Sequence, residues 1–233
     1  MSIDEAKRLA GIAACNEVED GMTLGLGTGS TVHHTIVELA RLHHEEGLDV
    51  VGVPTSLATH ALATELGLPL AELDDVDALD VVIDGADEVD AAFQLIKGGG
   101  AALLREKLVA QSSGAMVVVA DDRKMVDVLG AFPLPIEITP FALGTTRSAI
   151  ANLLGCEATL RMDGDRPLVT DNGNHIIDAH TGPTLIDPAA VETALLSLAG
   201  VVQVGLFIDM CDVVYLAGAS GAARLVRPGG RLA

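Results

Sequence analysis

Met22-Thr23-Leu24-Gly25-Leu26-Gly27-Thr28-Gly29-Ser30-Thr31 passes from a short apolar strand into a glycine turn and on into a helix reaching about Glu45. The same rhythm extends in both directions. Upstream, Ser2 and Glu5 form an S-x-x-E capping box that predicts a helix from Ile3 to Val18. Downstream, Leu48–Val53 reads as a strand, Thr55–Leu66 as a helix, Asp80–Asp84 as a strand, Ala101–Gln111 as a helix and Ala115–Ala120 as a strand.

Past Phe132-Pro133-Leu134-Pro135 the order changes to strand (Ile136–Thr139), helix (Thr145–Leu154), strand (Glu157–Met162) and strand (Leu168–Thr170). A turn at Asp171-Asn172-Gly173-Asn174 leads to apolar Ile176-Ile177, a helix over Pro188–Leu198 and a strand over Val201–Gly205. That succession is βαββαβ, a ferredoxin-like unit. Val213–Ala217 is expected to return to the first sheet, and the tail from Gly218 to be loose. The expected fold is α/β: a mostly parallel, Rossmann-like sheet with helices on both faces, plus a smaller ferredoxin-like α+β domain. Residues 1–130 and 206–233 form the larger, catalytic domain in this reading, and 131–205 the smaller one.

Composition narrows the function. With 33 acids against 14 bases the formal charge is −19, and neutralising a phosphate backbone takes clustered Lys and Arg, so nucleic acid is excluded as a partner. Aromatics are 2% of the chain, which leaves no stacking platform. Acid excess with few lysines suits a salt-rich cytoplasm, where molar salt shortens self-repulsion to roughly 3 Å. Cys15, Cys156 and Cys211 are odd in number and widely spaced, the pattern of free thiols in a reducing compartment. Met1-Ser2-Ile3-Asp4-Glu5 opens a capped helix instead of a signal peptide, and no apolar run is long enough to span a bilayer. The expected location is cytoplasmic, with no membrane partner.

Gly27-Thr28-Gly29-Ser30-Thr31 sits at a strand-to-helix turn, where unpaired N–H groups and the helix dipole favour an anion such as phosphate. It is neither a P-loop nor a full dinucleotide fingerprint, since Ser30 stands where a third glycine belongs, and a structural tight turn explains it about as well. Asp84-Gly85-Ala86-Asp87-Glu88-Val89-Asp90 follows the apolar Val81-Val82-Ile83, which puts Asp84 and Asp87 at the carboxyl end of a parallel strand. Glu88 and Asp90 read as a solvated acidic loop.

The chain has four lysines, and two of them fall in Lys97-Gly98-Gly99-Gly100-Ala101-Ala102-Leu103-Leu104-Arg105-Glu106-Lys107. Three glycines let backbone approach a ligand closely, and the helix that follows offers more unpaired N–H groups. At 100° per residue Glu106 falls among Ala102, Leu103, Val109 and Ala110, and an acid on an apolar face is a candidate general base. Lys124 follows a strand end and can reach the same rim; Lys7, on the first helix, ranks below it. His33-His34 and His43-His44 lie about 15 Å apart along one helix, too far to share an ion, so no metal site is expected.

Taken together, Gly27–Thr31, Asp84–Glu88 and Lys97–Lys107 resemble the three signatures of the type A ribose-5-phosphate isomerases. The resemblance continues through Ala120-Asp121 to Lys124, Phe132–Pro135, Thr170–Asn174 and Gly200–Phe207. It implies interconversion of D-ribose 5-phosphate and D-ribulose 5-phosphate through an enediolate, without a cofactor. It assigns Glu106 as the base, Asp84, Asp87 and Lys97 as the other catalytic residues, and Thr28, Gly29, Ser30, Thr31, Gly85, Ala86, Gly98, Gly99, Gly100 and Lys124 to the pentose 5-phosphate substrate; Lys7 joins them as a substrate-binding candidate. It also implies a homodimer or homotetramer. The competing readings are another sugar-phosphate enzyme of this fold and a sugar-phosphate-binding regulator. A regulator would bring a basic DNA-binding segment, which this sequence lacks.

Overall fold

A computed structural model describes residues 1–232. By packing, the chain divides into one compact unit of Met1–Ala86, Arg105–Lys124 and Met210–Ala233 and another of Asp87–Leu104 and Met125–Asp209. Segment 87–104 therefore groups with the second unit, whereas the strand–helix rhythm put it in the first.

The first unit opens with α1 (Ile3–Ala14), whose Ser2 Oγ accepts the Glu5 N–H at 3.1 Å as the capping box predicts. There follow β1 (Thr23–Leu26), α2 (Val32–Arg41), β2 (Val51–Pro54), α3 (Leu57–Glu65) and β3 (Leu79–Gly85). Helix α2 gives way at Leu42 to a π-helical turn that ends on Gly47 at φ +79°, so the expected helix to Glu45 changes its winding on the way. In that turn His43 Nδ1 meets the Leu48 carbonyl and His44 Nε2 the Leu66 carbonyl, which makes both histidines loop anchors.

Two short strands, β4 (Glu88–Val89) and β5 (Leu95–Ile96), come next, then α4 (Leu103–Gln111) and β6 (Ser113–Asp121). The second unit continues with β7 (Leu134–Ile138), α5 (Leu143–Leu154), β8 (Glu157–Leu160), β9 (Met162–Asp163), β10 (Arg166–Pro167), β11 (His175–His180), α6 (Pro188–Leu196), β12 (Val201–Val204) and β13 (Leu206–Phe207). The chain ends with β14 (Val213–Gly218) and β15 (Gly221–Val226) in the first unit.

The first unit's sheet has the order β15-β14-β6-β3-β1-β2, parallel throughout except for the antiparallel edge strand β15. Leu24, Leu26, Val81, Ile83, Val117 and Val119 pack on one face against Ala10 and Ala14 of α1 and Ile36 and Leu39 of α2. Burial of both faces explains why these strands read as nearly unbroken apolar runs. From β1 the chain steps outward to β2 and then returns to place β3 on the other side of β1. The carboxyl ends of β1 and β3 thus flank a topological switch point, where open α/β sheets hold ligands.

In the second unit β12-β7-β11-β8 form an antiparallel sheet. With α5 and α6 this is the ferredoxin-like order, cored by Ile136, Ile138, Ile150, Ile177, Leu195 and Val204. Two expectations fail. Leu168–Thr170 is not a strand, because the Thr170 hydroxyl caps the following turn: it accepts the Asn174 N–H at 3.2 Å and donates to Glu137 at 3.0 Å. Nor is the tail loose, since 221–226 pair with β14 and Arg224 binds Glu17 on the stretch after α1.

A buried carboxylate secures this C-terminal region. Asp212 is fully buried and accepts the backbone N–H of Met116 at 2.9 Å and of Arg231 at 2.8 Å, with the Arg231 guanidinium beside it. Burial pushes its pKa up, but the two N–H groups and Arg231 outweigh that and hold it below the ordinary 3.8. A carboxylate depressed in the fold contributes stability in full above its unfolded pKa and loses it as pH falls through the folded one. Asp212→Ala should cost about 1–3 kcal/mol in urea unfolding at neutral pH, chiefly by stranding the Met116 N–H. Asp212→Asn should flatten the decline of the wild-type protein below about pH 4; an unchanged acid limb would refute this role.

Candidate active site

Asp84, Gly85 and the Thr28–Thr31 turn, all singled out by sequence, stand at the switch point of the first unit. The Asp84 side chain closes β3 and is completely buried. Its Oδ1 accepts the N–H of Thr28 at 3.1 Å and of Gly85 at 2.7 Å, so the anion turn and the acid are one hydrogen-bonded piece. Only glycine fits at 27, since a Cβ there would lie 2.3 Å from Asp84 Oδ1 and 2.5 Å from Asp84 Cα. Gly29 turns at φ +125° before α2 begins. Among the described residues no carbonyl takes the backbone N–H of Ser30 or Thr31, which head that helix, so the anion cradle is open on the ligand side.

The Thr28 hydroxyl sits in a cluster that sequence reasoning missed. It lies 2.8 Å from Thr55 Oγ1, 2.8 Å from Ser56 Oγ and 3.2 Å from Thr59 Oγ1, and Thr59 donates to the Gly27 carbonyl at 2.8 Å. The available signal was Ser56, which caps α3 by accepting the Thr59 N–H at 3.0 Å. Lys7, ranked behind Lys124 from sequence, reaches the turn directly, with Nζ 2.9 Å from Ser30 Oγ. A cavity of about 740 Å³ opens here, lined by Lys7, Thr28, Gly29, Ser30, His33 and His34 among others. Burial, followed by the neighbouring His33, pushes His34 below its ordinary pKa.

Glu106 lies on α4 and is 4% exposed, with Ala102, Leu103, Val109 and Ala110 buried around it as the 100° spacing predicts. Val109 packs over Gly25, where a Cβ would come within 2.6 Å of it, so α4 is seated closely on β1. Lys107 is buried as well, at 2% exposure, which nothing in its sequence neighbourhood indicates. Lys124 is half-buried in the short helical turn after β6.

The second unit carries Asp87 and Lys97–Gly100. Asp87 Oδ2 accepts the Gly99 N–H at 2.7 Å, and Gly99 must be glycine because a Cβ would lie 2.5 Å from Asp87 Oδ1. Lys97 is 2% exposed; its backbone N–H donates to Gly205 at 2.8 Å and its ammonium stands 5.3 Å from the Phe207 ring centroid. Glu88 overturns the expectation of a solvated loop. It is buried and its two oxygens accept the N–H groups of Gly130 and Phe132, at 2.7 and 2.5 Å. Asp90 folds its own turn, with Oδ1 taking the N–H of Ala92 and Gln94 at 2.9 Å each. Among the described residues no group of three or more His, Cys, Asp and Glu is placed to hold a metal ion, and no helix is long and apolar enough to cross a membrane.

A mostly parallel sheet with an anion turn and a buried acid at its switch point defines an α/β protein built to hold an anionic ligand. Comparison with known proteins is more specific. Residues 51–221 match the family described as ribose 5-phosphate isomerase A (phosphoriboisomerase A). The ribose-5-phosphate isomerase A of Roseobacter denitrificans is 51% identical over 220 residues, covering 92% of this chain and 84% of that protein. A solved D-ribose-5-phosphate isomerase in complex with phospho-erythronic acid superposes with a TM-score of 0.94 at 41% identity, over 97% of this chain and 100% of that one. The enzyme from Methanocaldococcus jannaschii gives 0.91 at 37% identity, again over 97% and 100%. This chain belongs to the ribose 5-phosphate isomerase A family.

Because Gly27 leaves no space for a side chain, Gly27→Ala should push Asp84 and Thr28 apart. Isomerase turnover should fall by about 10²-fold, the scale of an ångström misplacement at a reacting centre. Wild-type turnover in that variant would contradict the tight coupling of turn and acid.

Proposed function

We propose how this chain carries out the reaction of its family: it interconverts D-ribose 5-phosphate and D-ribulose 5-phosphate, with Glu106 as the base. The observation that carries the assignment is the near-complete burial of the Glu106 carboxyl on an apolar helix face, at 4% exposure. Removal of the C2 proton of the open-chain aldose by that carboxylate gives an enediolate, and return of the proton to C1 gives the ketose. A second proton moves from O2 to O1, with Asp84 assisting this transfer and the ring opening before it. Charge that develops on the sugar oxygens needs donors already in place, which Lys97 and the amides of Gly98–Gly100 supply. Asp87 orients that glycine segment through Gly99. The Thr28–Thr31 turn, with Lys7 and Lys124, anchors the phosphate, and Gly85 and Ala86 line the approach to Asp84.

The same proposal includes a homodimer or homotetramer in the cytoplasm of a cell that accumulates salt. Supporting it are Phe141 and Ile186, 88% and 87% exposed, and the −19 formal charge with only four lysines, two of them buried. Turnover should rise from low salt towards molar KCl; a monotonic fall would remove the halophilic part of the reading and leave the isomerase part intact.

Glu106→Gln keeps the side-chain volume and removes the base. Turnover should drop by roughly 10²–10⁴-fold while inhibition by inorganic phosphate stays within about twofold. Undiminished turnover in that variant would sink the assignment. The scheme routes no step through a metal, so a chelator should leave the wild-type rate unchanged.

A further inference from the structure

Arg161, a residue outside every motif described above, holds the triglycine segment from its carbonyl side. It follows β8, and its backbone N–H continues the pairing with β11 by donating to Ile176 at 2.9 Å. Its Nη1 donates to the Gly98 carbonyl at 2.7 Å and to the Gly99 carbonyl at 3.1 Å. The other edge of the guanidinium is braced by Asp178 of β11, through Nε at 2.9 Å and through a close Nη2 contact. Both side chains are largely withdrawn from water, at 15% and 17% exposure. The bidentate pairing therefore fixes the plane of the guanidinium and, with it, the direction of its remaining donors.

The segment needs such a restraint. Gly98 stands at φ +107° and Ala101 at φ +59°, a backbone state in which a residue with a side chain persists only where its surroundings enforce it. Among the described residues all peptide bonds are trans, so a carbonyl directed at Arg161 turns the N–H of the same peptide the opposite way. The peptide of the Gly98 carbonyl carries the Gly99 N–H, which Asp87 accepts at 2.7 Å. The peptide of the Gly99 carbonyl carries the Gly100 N–H. A cation on the two carbonyls also polarises both peptides and strengthens them as donors.

We infer that Arg161, braced by Asp178, is a positioning residue for the isomerisation. It locks the planes of the 98–99 and 99–100 peptides so that the Gly100 N–H is presented as a preformed donor to the developing oxyanion. The inference rests on the reading of the glycine amides as oxyanion donors. Asp87 and Arg161 act as opposed clamps, one on an N–H and the other on two carbonyls, and the segment cannot turn over between them.

The test is steady-state isomerisation of D-ribose 5-phosphate by wild type, Arg161→Ala and Asp178→Asn, with thermal melting and inhibition by inorganic phosphate measured alongside. Arg161→Ala should lose roughly 10–100-fold in kcat, with KM and phosphate inhibition within about threefold. Millimolar guanidinium ion should restore part of the lost kcat. Phospho-erythronic acid, the ligand of a solved relative, should bind more weakly in step with kcat. If Arg161→Ala melts early, Asp178→Asn decides, because it keeps the guanidinium and loosens only its brace; a fall in kcat at constant KM is expected. Wild-type kcat in Asp178→Asn and Arg161→Ala overturns the inference. So does a loss shared equally between kcat and phosphate affinity that guanidinium does not rescue, which would mark general loosening. An inactive wild-type protein would instead overturn the proposed function, whatever the variants do.

Discussion

Burial of charge is the constraint that both units share. Asp84, Lys97, Glu106 and Lys107 are each no more than 4% exposed, in a chain whose remaining charge is overwhelmingly acidic. An ionised group withdrawn from water survives only if hydrogen bonds or opposite charge replace its hydration. For Asp84 part of the replacement is backbone: the N–H groups of Thr28 and Gly85 converge on one oxygen. For Lys97 it includes the face of Phe207, one of only four phenylalanines in the sequence. Side chains held in this way are fixed in direction, and a fixed dipole or charge can act on a developing charge without first reorganising.

Sheet topology decides where these charges can be held. Reversal of strand order between β1 and β3 leaves a gap at the carboxyl ends, and the turn after β1 fills it only because residue 27 has no side chain. In the second unit the equivalent device is the triglycine, with Asp87 gripping one amide and Arg161 two carbonyls. Both devices use carboxylates to fix backbone, so part of the acid content is structural wiring. Glu88 and Asp212 do the same elsewhere, each accepting two backbone N–H groups while buried, and buried Glu137 ties down the side chains of Thr170 and Asn174.

Much of this is readable in the sequence, for reasons that particular residues make plain. Glu106 is isolated among apolar residues at helical spacing, and periodicity is a strong signal; the buried strands and the βαββαβ order follow from equally local patterns. Glu88 was misread because four acids in seven residues look solvated, and nothing local announces that Gly130 and Phe132, some forty residues away, bring their N–H groups to it. Thr170 was assigned to a strand on propensity, and its hydroxyl instead serves a turn and a buried glutamate. The tail was expected to be loose because its anchors, Glu17 and Asp212, lie elsewhere in the sequence or in unrelated motifs. Arg161 carries no sequence signal at all. Long-range partners of single side chains were missed, as was the Ser56 cap, while period and glycine turns were not.

The central claim is that a buried carboxylate carries a proton between adjacent carbons of the sugar. Isomerisation in deuterium oxide, followed by NMR of the sugar phosphates through many forward and reverse cycles, tests it most directly. A carboxylate that exchanges its proton with solvent, even slowly, must enrich the transferred position, C1 of the ketose and C2 of the aldose, with deuterium. Full equilibration of the two sugars with no deuterium in either position would mean that hydrogen migrates without visiting a base, and would contradict the account.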